Sequence, residues 1–205
     1  MTAHPTSALP APEDVQRAAQ VTVLDEHGKE HRLGELWEGQ DEGRTVVVWI
    51  RHFGCGLCQD YVKHLSQHFA PPLLSAHNVR LSIIGCGDSS YLSSYRKLVA
   101  CPFDLYADRD GASYDALGMG KNLGSGETRP EYQKSGMAGV ALKSISSFFQ
   151  MGNVAFPGEW SRLGGECVFE QGQLKWCHRM QNTRDHAPLK ELAAAAGVPL
   201  DSAAA

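Results

Sequence analysis

The chain has 205 residues, of which 42% are hydrophobic and 20% are charged, and its formal net charge is −4 at pH 7. This balance is typical of a globular protein, and it argues against a disordered chain and against a basic surface for nucleic acid. The longest apolar runs are far too short to cross a bilayer, so we expect no membrane partner.

The predicted elements begin after a tail at residues 1–15, which is small, polar and proline-rich and has no periodic pattern. The tail also lacks the basic and apolar segments of a secretory signal, so we predict a cytoplasmic protein. Residues 16–200 are predicted to form one domain. Its first elements are a short strand at Val21–Leu24 and a short helix at Arg32–Trp37.

A buried strand that leads directly into a helix is the clearest feature of the sequence. Val46–Ile50 is a continuous β-branched and aromatic run, as expected of a strand covered on both faces. Apolar residues then recur at helical spacing from Leu57 to Phe69, until Pro71-Pro72 ends the helix. A second strand, helix and strand follow at 79–84, 91–99 and 103–106. Such alternation indicates parallel strands joined by right-handed crossovers.

Residues 120–161 are glycine-rich and irregular, with one predicted helix near Val140–Phe149, and we interpret them as an insertion. A hairpin follows, with strands at Glu166–Phe169 and Leu174–Met180. A final helix is expected to begin near Asp185 and to end at Gly197. The whole pattern predicts an α/β fold with a central sheet flanked by helices.

Cys55 and Cys58 lie where the buried strand turns into the helix. Unpaired N–H groups and the helix dipole favour an anion at that position, so a thiol there ionises more easily. The thiolate is the nucleophilic form, and a second thiol three residues on can close a disulfide when the first is oxidised. The spacing and its context therefore predict a redox-active dithiol.

Two other interpretations of the pair stay open, half of a zinc site or two packed cysteines. A zinc site needs two further ligands, and no second C-x-x-C or H-x3-H follows at a typical distance. His64 and His68 are four residues apart on one helical face, which suits a metal but is also expected of a solvated face. We therefore expect no metal and no other cofactor.

Arg51 and His52 precede the pair, so either side chain is a candidate to stabilise a thiolate or to polarise a substrate oxygen. We predict Arg51 as catalytic together with both cysteines, and His52, Phe53 and Trp160 as substrate-binding. Apolar residues of the insertion form either a wall over the thiols or a seal for the core or for a dimer contact. They are Phe148, Phe149, Met151, Phe156 and Trp160.

The run from Val46 to Val62 resembles the peroxiredoxin-like AhpC/TSA proteins, in the branch that carries a C-x-x-C pair. Later blocks agree in order, among them Ile84-Gly85-Cys86-Gly87, Cys101-Pro102-Phe103, Gly164-Gly165 and Asp185-His186. The resemblance covers roughly residues 20–197. It implies a thioredoxin-like (peroxiredoxin-like) fold with a mixed sheet and thiol-dependent reduction of peroxides or lipid endoperoxides.

The sequence departs from true peroxiredoxins, whose peroxidatic loop resembles P-x3-T-x2-C. If Cys58 takes the place of the peroxidatic cysteine, Arg51 replaces the proline and Cys55 replaces the threonine. The arginine that peroxiredoxins carry before a late strand is replaced by Gly164, with Arg162 nearby. Alignment with thioredoxin instead puts Cys55 at the attacking position and Cys58 at the resolving one. We favour Cys55 as the nucleophile, because the first thiol of such a pair is usually more exposed.

These observations predict an oxidoreductase that uses the Cys55/Cys58 dithiol to reduce a small peroxide, endoperoxide or disulfide substrate. An external thiol or an NADPH-linked reductant is expected to recharge the pair. The alternative is a non-catalytic or regulatory thioredoxin-fold binding protein, and a homodimer is a candidate assembly for either.

Overall fold

A computed structural model describes residues 7–39, 42–133, 136–152 and 156–200. In chain order its elements are α1 (Pro12–Ala19), β1 (Thr22–Leu24), β2 (Glu30–Arg32), a 3-10 helix (Leu33–Leu36), β3 (Arg44–Ile50), α2 (Gly56–His68), α3 (Pro71–Ala76), β4 (Val79–Cys86), a second 3-10 helix (Ser89–Tyr91), α4 (Leu92–Val99), β5 (Asp104–Asp108), α5 (Ala112–Ala116), α6 (Met137–Met151), β6 (Gly165–Glu170), β7 (Gln173–Arg179) and α7 (Leu189–Ala196).

The strands form one seven-stranded sheet in the order β2-β1-β5-β4-β3-β6-β7. Its centre is parallel, because β3, β4 and β5 run in the same direction and are joined by helical crossovers. The strands on either side, β1 and β6, pair antiparallel with this centre. The predicted α/β fold with a mixed sheet flanked by helices is therefore confirmed.

Strand β3 lies between two cores, one on each face of the sheet. Val46, Val48 and Ile50 point to the face covered by α2, α4 and α7. Val47 and Trp49 point to the opposite face, where α1, α5 and the first 3-10 helix pack. All five side chains are fully buried, which is why the strand reads as an unbroken apolar run.

The prediction of an irregular tail at residues 1–15 is wrong from Pro12 onward, because α1 begins there. Proline suits the first turn because the N–H it lacks would have no partner there, and Glu13 and Asp14 favour the positive end of the helix. Ala18 and Ala19 then anchor the helix in the second core. Residues 1–6 of the predicted tail lie outside the described part of the chain.

Short elements account for most of the other differences. The prediction misses β2 and α5, which have too few residues for a periodic pattern. It places a helix at Arg32–Trp37, where the structure has the end of β2 and a shorter 3-10 helix. Pro71 and Pro72 end α2 as predicted, but they also begin α3, because the first helical turn needs no N–H from a proline.

The final helix begins at Leu189 and not near Asp185. The Asp185 carboxylate instead accepts a hydrogen bond from the backbone N–H of Gln181, at 2.7 Å. Two residues further along the chain, Ala187 donates its N–H to the buried carboxylate of Glu166, at 3.1 Å. These tertiary hydrogen bonds hold the segment in a non-helical conformation and override the N-cap preference of Asp185.

The insertion contains a longer helix than predicted. Helix α6 packs on α2 and α4, and its residues Val140 and Met151 are buried in the first core. No helix of the described residues combines the length and the apolar character that crossing a membrane requires.

Gly164 fixes how closely the start of β6 approaches β3. A Cβ atom on Gly164 would lie 1.9 Å from the carbonyl oxygen of Trp49, which belongs to the paired backbone of β3. We expect Gly164→Ala to lower the free energy of unfolding by about 3 kcal/mol, measured by urea denaturation. The control is Gly136→Ala, since nothing lies within 4 Å of a Cβ there. Equal stability of the Gly164→Ala variant and the wild type would contradict this packing.

Candidate active site

The two cysteines lie at the carboxyl end of the parallel strands. The Tyr114 hydroxyl contacts the carbonyl oxygens of Ile50 at 2.6 Å and of Ile84 at 3.1 Å, and so ties together the ends of β3 and β4. A turn follows, in which the N–H of Cys55 donates to the carbonyl of His52 at 3.1 Å. This edge of an open α/β sheet is where ligands generally bind.

Cys55 is the N-cap residue of α2, and its sulfur takes the part that an oxygen usually plays there. The Sγ atom accepts a hydrogen bond from the backbone N–H of Cys58, at 3.3 Å. Nη1 of Arg51 donates to the same sulfur at 3.4 Å. The start of a helix and a cation therefore both face one thiol.

Arg51 is buried, with an exposed fraction of 7%, and backbone acceptors hold its guanidinium in place. Its Nε donates to the carbonyl of Arg162 at 3.0 Å, and its Nη2 donates to the carbonyl of Trp160. These two backbone acceptors aim the third donor at Cys55. The guanidinium geometry suits such a site, since its donors form a fixed planar fork.

The surroundings separate the pKa values of the two thiols. Burial opposes ionisation of Cys55, but the hydrogen bond from the Cys58 thiol and the charge of Arg51 outweigh it, so the pKa of Cys55 is well below its usual value. Burial, the hydrogen bond to Cys55 and its negative charge raise the pKa of Cys58 well above the usual value. The arrangement favours Cys55 as the attacking thiolate and Cys58 as a protonated partner.

The three residues predicted to bind substrate differ in exposure. Burial lowers the pKa of His52 to about 4. His52 is therefore neutral near pH 7, and Arg51 supplies the positive charge. The Trp160 ring is 53% exposed and lies over the His52 ring, with centroids 4.9 Å apart. Phe53 is fully buried against Tyr91 and Tyr95. Substrate binding by these three residues stays a prediction.

A buried histidine lies against Cys58, and a buried glutamate lies behind the histidine. Nε2 of His186 lies 3.4 Å from Sγ of Cys58, and Nδ1 lies 2.6 Å from Oε1 of Glu166. The second carboxylate oxygen of Glu166 accepts the N–H of Ala187. Neither His186 nor Glu166 has any exposed side-chain surface. The Tyr61 ring stacks on the imidazole, with centroids 4.2 Å apart.

Neither His186 nor Glu166 is among the site residues predicted from the sequence. Glu166 carries a signal, because it is a lone carboxylate in the apolar strand run Glu166–Phe169, and a buried charge requires a partner. His186 follows a loop after β7, about 20 residues from Glu166, and nothing in the sequence indicates which buried group it meets. Only the hairpin and the loop after it bring the two side chains together.

Arg162, near the position where peroxiredoxins carry an arginine, does not point its side chain at the thiols. Its guanidinium pairs with the carboxylates of Asp115 and Glu159 and lies over the Tyr114 ring. Its backbone carbonyl is the part that serves the site, because it holds Arg51. The cation beside the cysteine pair therefore comes from a different residue than in true peroxiredoxins.

Other cysteines and histidines stand apart from this pair. Burial raises the pKa of Cys86, whose thiol faces the Arg109 carbonyl at 3.9 Å. His64 packs edge-to-face on His68 and lies 3.6 Å from Glu131. Among the side chains that the structure describes, no three of His, Cys, Asp or Glu are grouped to hold a metal ion.

Helix α6 covers the site. Only 4% of Cys55 and none of Cys58 is exposed. The hydroxyl of Ser144 in α6 accepts the N–H of the first residue of α2, at 3.1 Å. Val140 and Met151 of α6 belong to the same core as the two thiols.

The apolar residues predicted for the insertion therefore divide between core and surface. Met151 seals the core, as one of the two predicted roles requires. Phe149, Phe156 and Trp160 are 82%, 46% and 53% exposed. The side chain of Phe148 lies outside the described part of the chain.

The family model of the AhpC/TSA antioxidant enzymes matches residues 64–182, more than half of the chain. This match begins after the cysteine pair. Two relatives match more of the sequence. Peroxiredoxin-like 2C of Homo sapiens is 30% identical over 183 residues, which cover 88% of this chain and 79% of that protein. Prostamide/prostaglandin F synthase of Aquarana catesbeiana is 28% identical over 169 residues, covering 81% of this chain and 79% of that protein.

The fold is also similar to a solved structure. Peroxidoxin BcpB from Mycobacterium tuberculosis superimposes with a TM-score of 0.55 at 11% identity, covering 94% of this chain and 94% of that chain. At this identity the likeness concerns the fold alone, and it confirms the predicted thioredoxin-like, peroxiredoxin-like fold.

Arg51 gives the first test of the site. Replacing it by glutamine removes the cation beside Cys55, so the pKa of Cys55 rises and less thiolate is present at neutral pH. We expect Arg51→Gln to slow alkylation of Cys55 by iodoacetamide roughly tenfold near pH 7 and to move the rate profile to higher pH. Peptide mass spectrometry of time points measures the rate.

Arg44→Gln is the matched control for this measurement. Arg44 lies at the other end of β3, where it pairs with Glu170 at 2.9 Å. Its loss should leave the alkylation profile of Cys55 unchanged. If the Arg51→Gln profile overlays that of the wild type, Arg51 does not stabilise the Cys55 thiolate.

Proposed function

Because the chain belongs to the peroxiredoxin-like AhpC/TSA family, we propose that it is a thiol-dependent oxidoreductase in which Cys55 attacks a reducible substrate and Cys58 resolves the product. Family membership agrees with the resemblance found in the run from Val46 to Val62. The observation that carries the proposal is the different environment of the two thiols, because the Arg51 guanidinium and the N–H of Cys58 at the start of α2 both donate to the Cys55 sulfur.

The first step is attack of the Cys55 thiolate on an O–O or S–S bond. With a peroxide, an S–O bond forms and the O–O bond breaks, so that Cys55 is oxidised to the sulfenic acid and an alcohol or water leaves after it takes up a proton. With a disulfide, Cys55 forms a mixed disulfide and a thiolate leaves. Arg51 stabilises the anion before attack, and it faces the charge that develops on the leaving atom.

The second step closes the Cys55–Cys58 disulfide and releases water or the second thiol. Two further electrons must then restore the dithiol. We assign that role to an external thiol or an NADPH-linked reductase, which reduces the disulfide while its own thiols are oxidised. Such a cycle suits a reducing compartment such as the cytoplasm.

The substrate class follows from the bond that a thiolate can cleave. Candidates are small peroxides, lipid endoperoxides and small disulfides, and the amphibian relative named as a prostamide/prostaglandin F synthase favours the second of these. Because Cys55 is almost fully covered by α6 and by the segment that contains Trp160, we propose that substrate enters when this cover moves. Trp160 and His52 would then meet the substrate first.

A second candidate function is a binding protein that keeps the fold without redox turnover. The burial of both thiols favours it, since a closed site excludes substrate. A dimer through exposed apolar residues of α6 would suit either function. Leu142, Ile145 and Phe149 are the most exposed of them.

Turnover by cysteine variants separates the two functions. We expect wild type to consume hydrogen peroxide or an organic hydroperoxide with dithiothreitol as the reductant, and to reduce a chromophoric disulfide in a single turnover without dithiothreitol. Cys55→Ser should lose this activity by about 10³-fold or more, because the nucleophile is gone. Cys58→Ser should retain the first chemical step and accumulate a sulfenic acid or a mixed disulfide on Cys55, visible by intact-mass spectrometry.

Cys101→Ser serves as the control, because burial raises the pKa of Cys101 to about 11 and its thiol faces the Phe103 carbonyl. This variant should turn over like wild type. Equal rates in all four proteins would refute the oxidoreductase function and favour the second candidate, a binding protein without redox turnover.

A further inference from the structure

The Cys58 thiol poses a problem for the second step. It must lose its proton to attack the oxidised Cys55, yet burial disfavours the thiolate and keeps that proton in place. Bulk water cannot accept it directly, since Cys58 has no exposed surface. A base inside the protein is therefore needed, and it must touch the Cys58 sulfur.

The geometry points to His186 as the base that takes the proton from Cys58, with Glu166 as the residue that positions it. This inference rests on the proposed dithiol function and adds a catalytic residue to it. Nε2 of His186 lies 3.4 Å from Sγ of Cys58, within reach for proton transfer involving sulfur. Nδ1 lies 2.6 Å from Glu166, so a proton on Nδ1 donates to the carboxylate and leaves Nε2 free to accept.

The arrangement has the order of a nucleophile, an imidazole and a carboxylate, with the imidazole held in one tautomer by the acid behind it. Glu166 is itself fixed, because its other oxygen accepts the N–H of Ala187 at 3.1 Å. The Tyr61 ring stacks on the imidazole at an interplanar angle of 6° and limits its rotation. Three contacts from different elements therefore aim one ring nitrogen at Cys58.

The other titratable groups around His186 do not compete for the proton. Burial raises the pKa of Tyr61 well above its usual value, and burial likewise raises the pKa of Tyr132, whose ring lies 6.0 Å from the imidazole. Both phenols therefore stay neutral near pH 7. The charge that forms on His186 faces the Glu166 carboxylate, which stabilises it without taking the proton.

His186 takes the proton from Cys58, and the Cys58 thiolate attacks the sulfur of the Cys55 sulfenic acid. An S–S bond forms and the S–O bond breaks, so that Cys58 is oxidised, the sulfenic sulfur is reduced, and the hydroxide leaves as water with the proton from His186. With a mixed disulfide on Cys55, the leaving group is a thiolate and His186 supplies its proton where it needs one.

A chromophoric aromatic disulfide such as dithiodipyridine follows the two thiols separately. Attack by Cys55 releases one chromophore, and attack by Cys58 on the resulting mixed disulfide releases the second. We expect His186→Gln to leave the first release within about twofold of wild type and to slow the second roughly 10²-fold at neutral pH. Glutamine retains hydrogen-bonding capacity at this site but cannot accept a proton in this pH range.

The pH profile adds a readout that a structural role would not change. Second release in wild type should vary little with pH near neutrality, because the base is built in. In His186→Gln it should rise about tenfold per pH unit, since hydroxide must remove the proton. Glu166→Gln tests the positioning residue, and it should slow the second release while sparing the first. An amide has a single acceptor oxygen and no charge, so it cannot accept both the Ala187 N–H and Nδ1–H or stabilise the imidazolium.

His178→Gln is the matched control, because His178 precedes the same loop, bonds to the Asp185 carbonyl and touches neither thiol. It should behave as wild type. A folded His186→Gln protein with an unchanged second release would overturn the inference, as would equal slowing by His178→Gln. If His186→Gln does not fold, wild type decides, because a second release that rises tenfold per pH unit excludes an internal base. A wild type that releases just one chromophore refutes the dithiol function itself.

Discussion

The site depends on the contact between the Arg51 guanidinium and the Cys55 sulfur inside the protein. A thiolate removed from water is strongly disfavoured unless a charge or several donors face it. Arg51 supplies that charge at 3.4 Å, and the N–H of Cys58 supplies a second donor at 3.3 Å. The burial of Arg51 is offset in part because the carbonyls of Trp160 and Arg162 accept two of its other N–H donors. The backbone at residues 160–162, where the insertion ends, thus helps to hold the first cysteine in its reactive form.

The same contact explains why the two thiols differ although they are three residues apart. A negative charge on Cys55 makes a second charge on Cys58 costly, so the pair carries one proton between two sulfurs. The Arg51 guanidinium donates to the Cys55 sulfur, and the His186 imidazole contacts the Cys58 sulfur. Both thiols are buried and α6 packs against the start of α2, so these groups act at low dielectric.

Much of the site could be predicted from the sequence because its residues are close together in the chain. The run Val46–Ile50, the C-x-x-C pair and Arg51 are contiguous, so a buried strand that leads into a helix fixes where the thiols and the cation lie. The N-terminal helix was missed, because a tail was predicted there, and the start of α7 was placed wrongly. Their boundaries depend on tertiary contacts, such as the hydrogen bond from Ala187 to Glu166, which local propensity does not contain.

The sequence by itself determined the α/β alternation, the position of the cysteine pair at a helix start and the family to which the chain belongs. Periodicity, capping and motif order depend on residues that are close in the sequence, so they can be recognised without the tertiary structure. Only the tertiary structure decided that α6 closes over the thiols, that Arg162 contributes a carbonyl where a guanidinium was sought, and that His186 meets Cys58. These contacts join residues more than 80 positions apart, and such pairings arise from how the sheet and helices pack.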